Sequence, residues 1–223
     1  MKIVSPWRDR RNYVSIMLTT LHEAMRRHDD VQVHLYDNES IELAPPIALE
    51  MSSVNRLKFY NIVAHDCHHV FIDMFNHAFE TCDDDHIINI DSDCCVHPAF
   101  ISAAKKMIEQ LPDLGHASLY SEGNHPEPKE KVHGIYHVRP HISMTASIIS
   151  RAAWEAFKKP KPGEEIRFGC IDGAFSTFVH ESAEFGCYST VNSYVDHIGA
   201  HGAYSQVADD GASTAHRARR FVS

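Results

Sequence analysis

A chain of 223 residues, 43% of them hydrophobic, can bury the core of one large domain. No segment approaches the ~20 uninterrupted apolar residues of a membrane span, and the opening MKIVSPWRDRR turns polar too early for the apolar region of a signal peptide. The formal charge of -9 argues against a non-specific grip on nucleic-acid phosphates, which needs a basic face. Six cysteines (Cys67, Cys82, Cys94, Cys95, Cys170 and Cys187) are scattered without a CxxC pair, as reduced thiols of a cytosolic protein are. The expectation is a soluble, cytoplasmic protein with no membrane span. Its 18 histidines leave room for metal ligands.

Lys2 to Val4 predicts a first strand, stopped by Ser5-Pro6. Val14, Leu18, Leu21 and Met25 then recur at the spacing of one helix face. Val31 to Tyr36 predicts a second strand, ending in Asp37-Asn38-Glu39-Ser40. An irregular stretch is expected around Pro45-Pro46, followed by a short strand within RLKFYNIVAH. Phe71, Phe75, Ala78, Phe79 and Cys82 give a second amphipathic helix. His86 to Ile90 is apolar on both faces, as in a central strand of a covered parallel sheet. Phe100, Ala104, Met107, Ile108 and Leu111 mark a helix after Pro98.

The second half is less regular. His116 to Tyr120 predicts a strand, and residues 121–134 are polar and turn-rich enough for a loop. A short helix is expected over Arg151 to Lys159, with Trp154 and Phe157 at core spacing. Another helix is expected to begin near Asp172, and one late strand to run through CYSTVNSYVDHIG to His197. Residues 208–223 predict a loosely packed tail. Strand and helix alternate through the first half, the pattern of a parallel α/β sheet. Such sheets bind ligands beyond the carboxyl ends of their strands, where Asp37 and Asp91 both fall.

Asp91 and Asp93 stand two apart after the apolar strand, so in extended geometry both carboxylates point to one side. Two carboxylates that close repel unless one is protonated or a cation lies between them. A hard ion, Mg²⁺ or Mn²⁺, is the natural partner, together with diphosphate oxygens. The bland alternative is a pair of loop aspartates capping the helix near Pro98.

In order and spacing, IVSPWRDR, VQVHLYDNES and FNHAFETCDDDHIINIDSD resemble the motifs of inverting, nucleotide-sugar-dependent glycosyltransferases of the GT-A fold, of the family 2 kind. The resemblance runs from Lys2 to about Ser205. It implies an α/β, Rossmann-like, mixed and mainly parallel sheet flanked by helices in one domain over 1–207. Residues 1–115 would form the nucleotide-sugar half and residues 116–207 the acceptor half. It also implies a metal-dependent enzyme that moves a sugar from a nucleoside-diphosphate sugar, a UDP-sugar first, to an acceptor hydroxyl with inversion. The acceptor would be a glycan, a protein or a modified nucleic-acid base.

Residue by residue, the resemblance gives Asp37 to the nucleotide base. Pro6, Arg8, Asn76, Asp91 and Ser92 would contact the nucleotide-sugar, and Asp91, Asp93 and His197 would hold the metal, with His201 in reserve. Asp172 takes the place of the catalytic base, ahead of Glu164 and Glu165. The family's frequent Arg-Asn-x-Gly is here Phe75-Asn76-His77-Ala78, and Arg8, Arg10 or Arg56 could supply an arginine for the pyrophosphate instead. Arg139 and His141 lie in the segment that faces sugar and acceptor. Two other readings use the same letters: a haloacid-dehalogenase-type phosphatase with Asp91 as nucleophile, and a non-catalytic nucleotide- or metal-binding module.

Overall fold

Strand β1 (Lys2–Trp7) runs on through Ser5 and Pro6 instead of stopping there. Its neighbours explain why. On one side β2 (Gln32–Asp37) pairs parallel with all of β1, but on the other β4 (His86–Ile90) pairs only with Lys2, Ile3 and Val4. The missing N–H of Pro6 therefore falls where β1 is already an edge, the place where a sheet tolerates proline.

The computed structural model describes residues 1–63, 67–121, 131–132, 135–158 and 171–198, with the backbone alone at 67, 68, 131 and 172. After β1 the chain forms α1 (Arg11–Met25), which buries Val14, Leu18, Leu21 and Met25 as the spacing predicts. The Pro45-Pro46 stretch is not irregular. Pro46 opens helix α2 (Pro46–Ser53), where a first-turn residue needs no N–H donor. Then come β3 (Leu57–Asn61), α3 (Cys67–Glu80), β4, a short β5 (Cys94–Val96), α4 (Phe100–Gln110) and β6 (Leu114–Ser118). The remainder is β7 (Lys131–Val132), β8 (Tyr136–Val138), β9 (Ala146–Ser150), α5 (Arg151–Phe157), α6 (Ile171–Glu181), β10 (Gly186–Thr190) and β11 (Val195–His197).

Among the described residues the main sheet has nine strands in the order β3-β2-β1-β4-β9-β6-β10-β8-β7. The first four are mutually parallel. β9 runs against both β4 and β6, and β7 and β8 form an antiparallel edge. The expected single late strand is two. β10 joins β6, whereas β11 leaves the sheet to pair with β5. Between them the chain turns, with Val191 N–H donating to Ile135 O and Tyr194 N–H to Leu119 O.

Alternation along the strands sends Ile3, Leu35, Ile88 and Ile90 to one face under α1, α2 and α4. Val4, Tyr36, Ile87 and Ile149 face the other side, against Phe75, Trp154 and Phe175 of α3, α5 and α6. No helix among the described residues is long and apolar enough to cross a membrane. The expected tail 208–223 and most of the loop 121–134 lie outside the described residues.

Candidate active site

β1, β2 and β3 are laid down in one direction, and α3 then carries the chain back to place β4 on the far side of β1. Strand order therefore reverses between β1 and β4, the crevice where open α/β sheets bind ligands. Charge collects there. The Asp91 backbone N–H donates to Thr145 O at 2.9 Å, tying the end of β4 to the strand beside it. The fully buried Asn89 points its amide at Asp91 Oδ1 (3.4 Å) and at Met144 O.

Two residues on, Asp93 is 5% exposed. The antiparallel pairing of β5 with β11 sets His197 opposite Cys94, and Ile198 N–H donates to Asp93 O at 2.9 Å. This brings His197 Nε2 to 3.0 Å from Asp93 Oδ1. The other carboxylate oxygen, Oδ2, accepts from Arg10 Nη1 at 2.7 Å. One ligand atom each from Asp91, Asp93 and His197 lies within 4.8 Å of the others. At that separation two carboxylates repel by about 3 kcal/mol for an effective dielectric of about 20, so positive charge must stand nearby.

Burial works against the charged form of Asp93. The His197 hydrogen bond and charge, with the Arg10 guanidinium, outweigh it and hold the carboxyl below its ordinary range. Burial likewise disfavours the imidazolium of His197, but Asp93 and then Asp91 raise its pKa above the usual value. A hard oxygen pair plus one imidazole nitrogen is a donor set that fits Mn²⁺ or Mg²⁺.

Arg10 reaches this point through an unusual backbone. Asp9 and Arg10 both have positive φ, 54° and 59°. The loop is clamped there: Asp9 Oδ1 accepts from the N–H groups of Ile41 (2.8 Å) and Glu42 (3.2 Å), and Asp9 N–H donates to Ser40 Oγ (2.9 Å). Trp7 Nε1 also donates to Asp9 O. Such over-determination is what keeps a non-glycine residue left-handed.

Residues 3–168 match the profile of Glycosyl transferase family 2. The chain belongs to that family. Its fold is similar to a mannosyltransferase, PcManGT from Pyrobaculum calidifontis in complex with GDP-Man and Mn²⁺, at 11% identity and a TM-score of 0.58 over 83% of this chain and 53% of that one. TarS of S. aureus is similar at 13% identity and a TM-score of 0.59, over 87% of this chain and 36% of that one. A TarS 1–349 structure in complex with UDP-GlcNAc matches at 13% identity and a TM-score of 0.59 over 84% and 57%. This chain thus spans about half the length of these proteins or less, and the likeness establishes the GT-A fold. No curated protein sequence matches it. Family membership removes the phosphatase alternative.

The expected site residues of this family 2 chain are only partly brought together. Asp91, Asp93 and His197 converge, with Ser92 half-buried between the two carboxylates in sequence. Asp37 ends β2, and its Oδ1 accepts from Ser40 N–H at 2.9 Å, an ordinary turn contact at a strand's carboxyl end. Pro6 lies within β1 opposite Tyr36, and Arg8 is exposed.

Asn76 is not at the cluster. It lies nine residues into α3, about 14 Å down the helix from its amino end, and its Oδ1 accepts from Trp154 Nε1 at 3.0 Å. Arg56 is also elsewhere: its guanidinium holds Met25 O and His28 O beyond the far end of α1. Arg139 is buried and donates to Ser189 Oγ at 3.0 Å, and His141 is exposed. Trp154 is core, against Phe75, Phe157 and Phe175. Asp172 is the second residue of α6, with its backbone alone described. Glu164, Glu165 and His201 lie outside the described residues.

Sequence reasoning left Arg10 as one of three options and passed over Asn89 and Thr145. The signal for Arg10 was there, an arginine just past a strand that ends in a crevice.

Proposed function

We propose that this chain transfers a sugar from a nucleoside-diphosphate sugar, a UDP-sugar first, to an acceptor hydroxyl with inversion. The observation that carries the proposal is the Asp91–Asp93–His197 cluster at the switch point of the sheet. Those three side chains would hold Mn²⁺ or Mg²⁺. When bound, the ion supplies positive charge against the diphosphate leaving group.

The chain's own residues do the rest. Asn89 and Thr145 O fix Asp91, and β11 fixes His197 against Asp93. Asp37, at the carboxyl end of β2, would read the edge of the base, and Pro6, Arg8 and Ser92 would contact the nucleotide-sugar. Asp172 accepts the proton of the acceptor hydroxyl as that oxygen bonds to the anomeric carbon. The bond from that carbon to the diphosphate breaks in the same displacement, and the electron pair leaves with the diphosphate. Residues 1–115 serve the donor and residues 116–207 the acceptor. A cytoplasmic setting goes with this reading, supported by the free thiols of Cys82, Cys94, Cys95 and Cys187.

The test is a thermal-shift panel of UDP-, GDP-, CMP- and dTDP-sugars with and without Mn²⁺. A metal-dependent rise with one donor class is the expected result. Asp93→Ala should abolish that rise. Asp172→Asn should keep it and lose transfer, measured as release of free nucleoside diphosphate in the presence of acceptor. Metal-dependent donor binding of wild-type strength in Asp93→Ala would overturn the assignment.

A further inference from the structure

We infer that Arg10 is an exchangeable counter-cation that couples the binding of the metal to the binding of the diphosphate; this rests on the proposed function above. Three observations carry it. The Asp93 carboxylate, which the proposed ion needs, already has both oxygens engaged, Oδ2 by Arg10 Nη1 at 2.7 Å and Oδ1 by His197 Nε2 at 3.0 Å. Arg10 and the ion are therefore competitors for one buried carboxylate. Next, Asp9 and its clamp hold the backbone at Arg10, while the Arg10 side chain, bonded to Asp93, keeps 23% exposure and so an open path to solvent.

Finally, the other two arginines that could meet a pyrophosphate do not reach the cluster. Arg56 is tied to Met25 O and His28 O, and Arg8 faces solvent. A guanidinium released from Asp93 lies beside the place where the diphosphate must sit to share the ion, and its fork matches phosphate oxygens as well as carboxylate. Arg10 thus holds Asp93 in the free protein and moves to the diphosphate when metal and nucleotide arrive together. Its presence lowers affinity for metal alone and raises affinity for the metal–diphosphate pair, a linkage that acts in both directions.

The test separates the two ligands. Mn²⁺ alone is titrated calorimetrically into wild type, Arg10→Asn and Arg10→Lys, and UDP, or GDP where wild type binds that instead, is then titrated into each at saturating Mn²⁺. Asparagine tolerates the left-handed backbone but is too short to span to Asp93. Arg10→Gly, which adopts that φ freely, gives the same comparison should asparagine disturb the loop. Arg10→Asn should bind Mn²⁺ ~10-fold more tightly than wild type and UDP at saturating Mn²⁺ ~10-fold more weakly, within the usual range of coupling between ligands. Arg10→Lys should stay near wild type for Mn²⁺ and fall between the two for UDP. Unchanged or weaker Mn²⁺ binding in Arg10→Asn, with wild type binding both ligands, overturns the exchange and leaves the proposed function standing. A wild-type protein that binds neither GDP nor UDP with Mn²⁺ overturns the proposed function and the exchange with it.

Discussion

Acid should destabilise this protein through His116 in a way that a single variant can isolate. His116 is fully buried on β6, and burial pushes its pKa down to about 3, with the charge of His141 acting in the same direction. Ser176 Oγ donates to Ile142 O (2.9 Å) and lies 3.2 Å from His116 Nδ1, so the imidazole donates from Nδ1 and leaves Nε2 bare. Nε2 has no partner among the described residues, and a proton added there would have no acceptor. An unfolded chain takes up this proton near the ordinary histidine value of about 6.5, the folded one only near 3. Between those values the unfolded state binds more protons, so stability falls as pH falls, by about 1.4 kcal/mol per pH unit. At pH 5 the loss from His116 is therefore about 2 kcal/mol, fully recovered above pH 7. Urea denaturation of wild type and His116→Asn at pH 7.5, 6 and 5 tests this. Asparagine can keep the contact to Ser176 and does not titrate, so the other histidines cancel in the difference. The stability of wild type relative to the variant should drop by about 2 kcal/mol between pH 7.5 and 5. Parallel pH profiles for the two proteins would refute a neutral, unsolvated His116.

The remaining predictions concern two side chains that tie elements of the fold together. On the proposed function, Asn76→Ala should leave any Mn²⁺-dependent UDP binding of the wild type unchanged in calorimetry. Asn76→Ala should also lower the unfolding free energy by about 1 kcal/mol, because Trp154 Nε1 loses its acceptor. Arg151→Ala should cost about 3 kcal/mol in urea denaturation. Its guanidinium donates to Phe79 O (2.7 Å), Cys82 O (2.6 Å) and Asp84 O (2.9 Å), collecting the carbonyls left open where α3 ends and β4 begins. Arg151→Lys, with one point charge in place of the fork, should recover less than half of that loss.

What could be read without coordinates was whatever lies close together along the chain. The helix faces of α1, α3 and α4 follow from spacing alone. The Asp91–Asp93 pair is legible as two carboxylates just past an apolar strand, although a turn at 92–93, not extended chain, brings them together. Asn76 shows what spacing along the sequence leaves open. Its distance from Asp91 fits the family pattern, yet its helix phase turns it toward Trp154, which lies far away in the sequence and on another helix. α2 was hidden because a Pro-Pro pair reads as a breaker, although proline at a helix's first position starts one. The segment 146–150 carries no alternation because β9 is buried on both faces between two antiparallel neighbours.

Arg10 needed strand order, and strand order is not a local property. Sequence gives the existence of β1 and β4 but not that they are neighbours, because a parallel pair is joined through everything between them. Once the order β3-β2-β1-β4 is known, the register does the rest. Val4 stands beside Asn89, and beyond that last pair both chains run on at the same end of the sheet. Arg10 lies three residues beyond the end of β1 and Asp93 three beyond the end of β4. Both overhangs face one crevice, and opposite charges there find each other at 2.7 Å. His197 arrives by the same logic through the β5–β11 ladder, where pairing with Cys94 leaves it no choice but the flank of Asp93. The cluster is thus fixed by two strand pairings rather than by any one motif, and, on the proposed function, disrupting the β5–β11 ladder should weaken Mn²⁺ binding without replacing Asp91, Asp93 or His197.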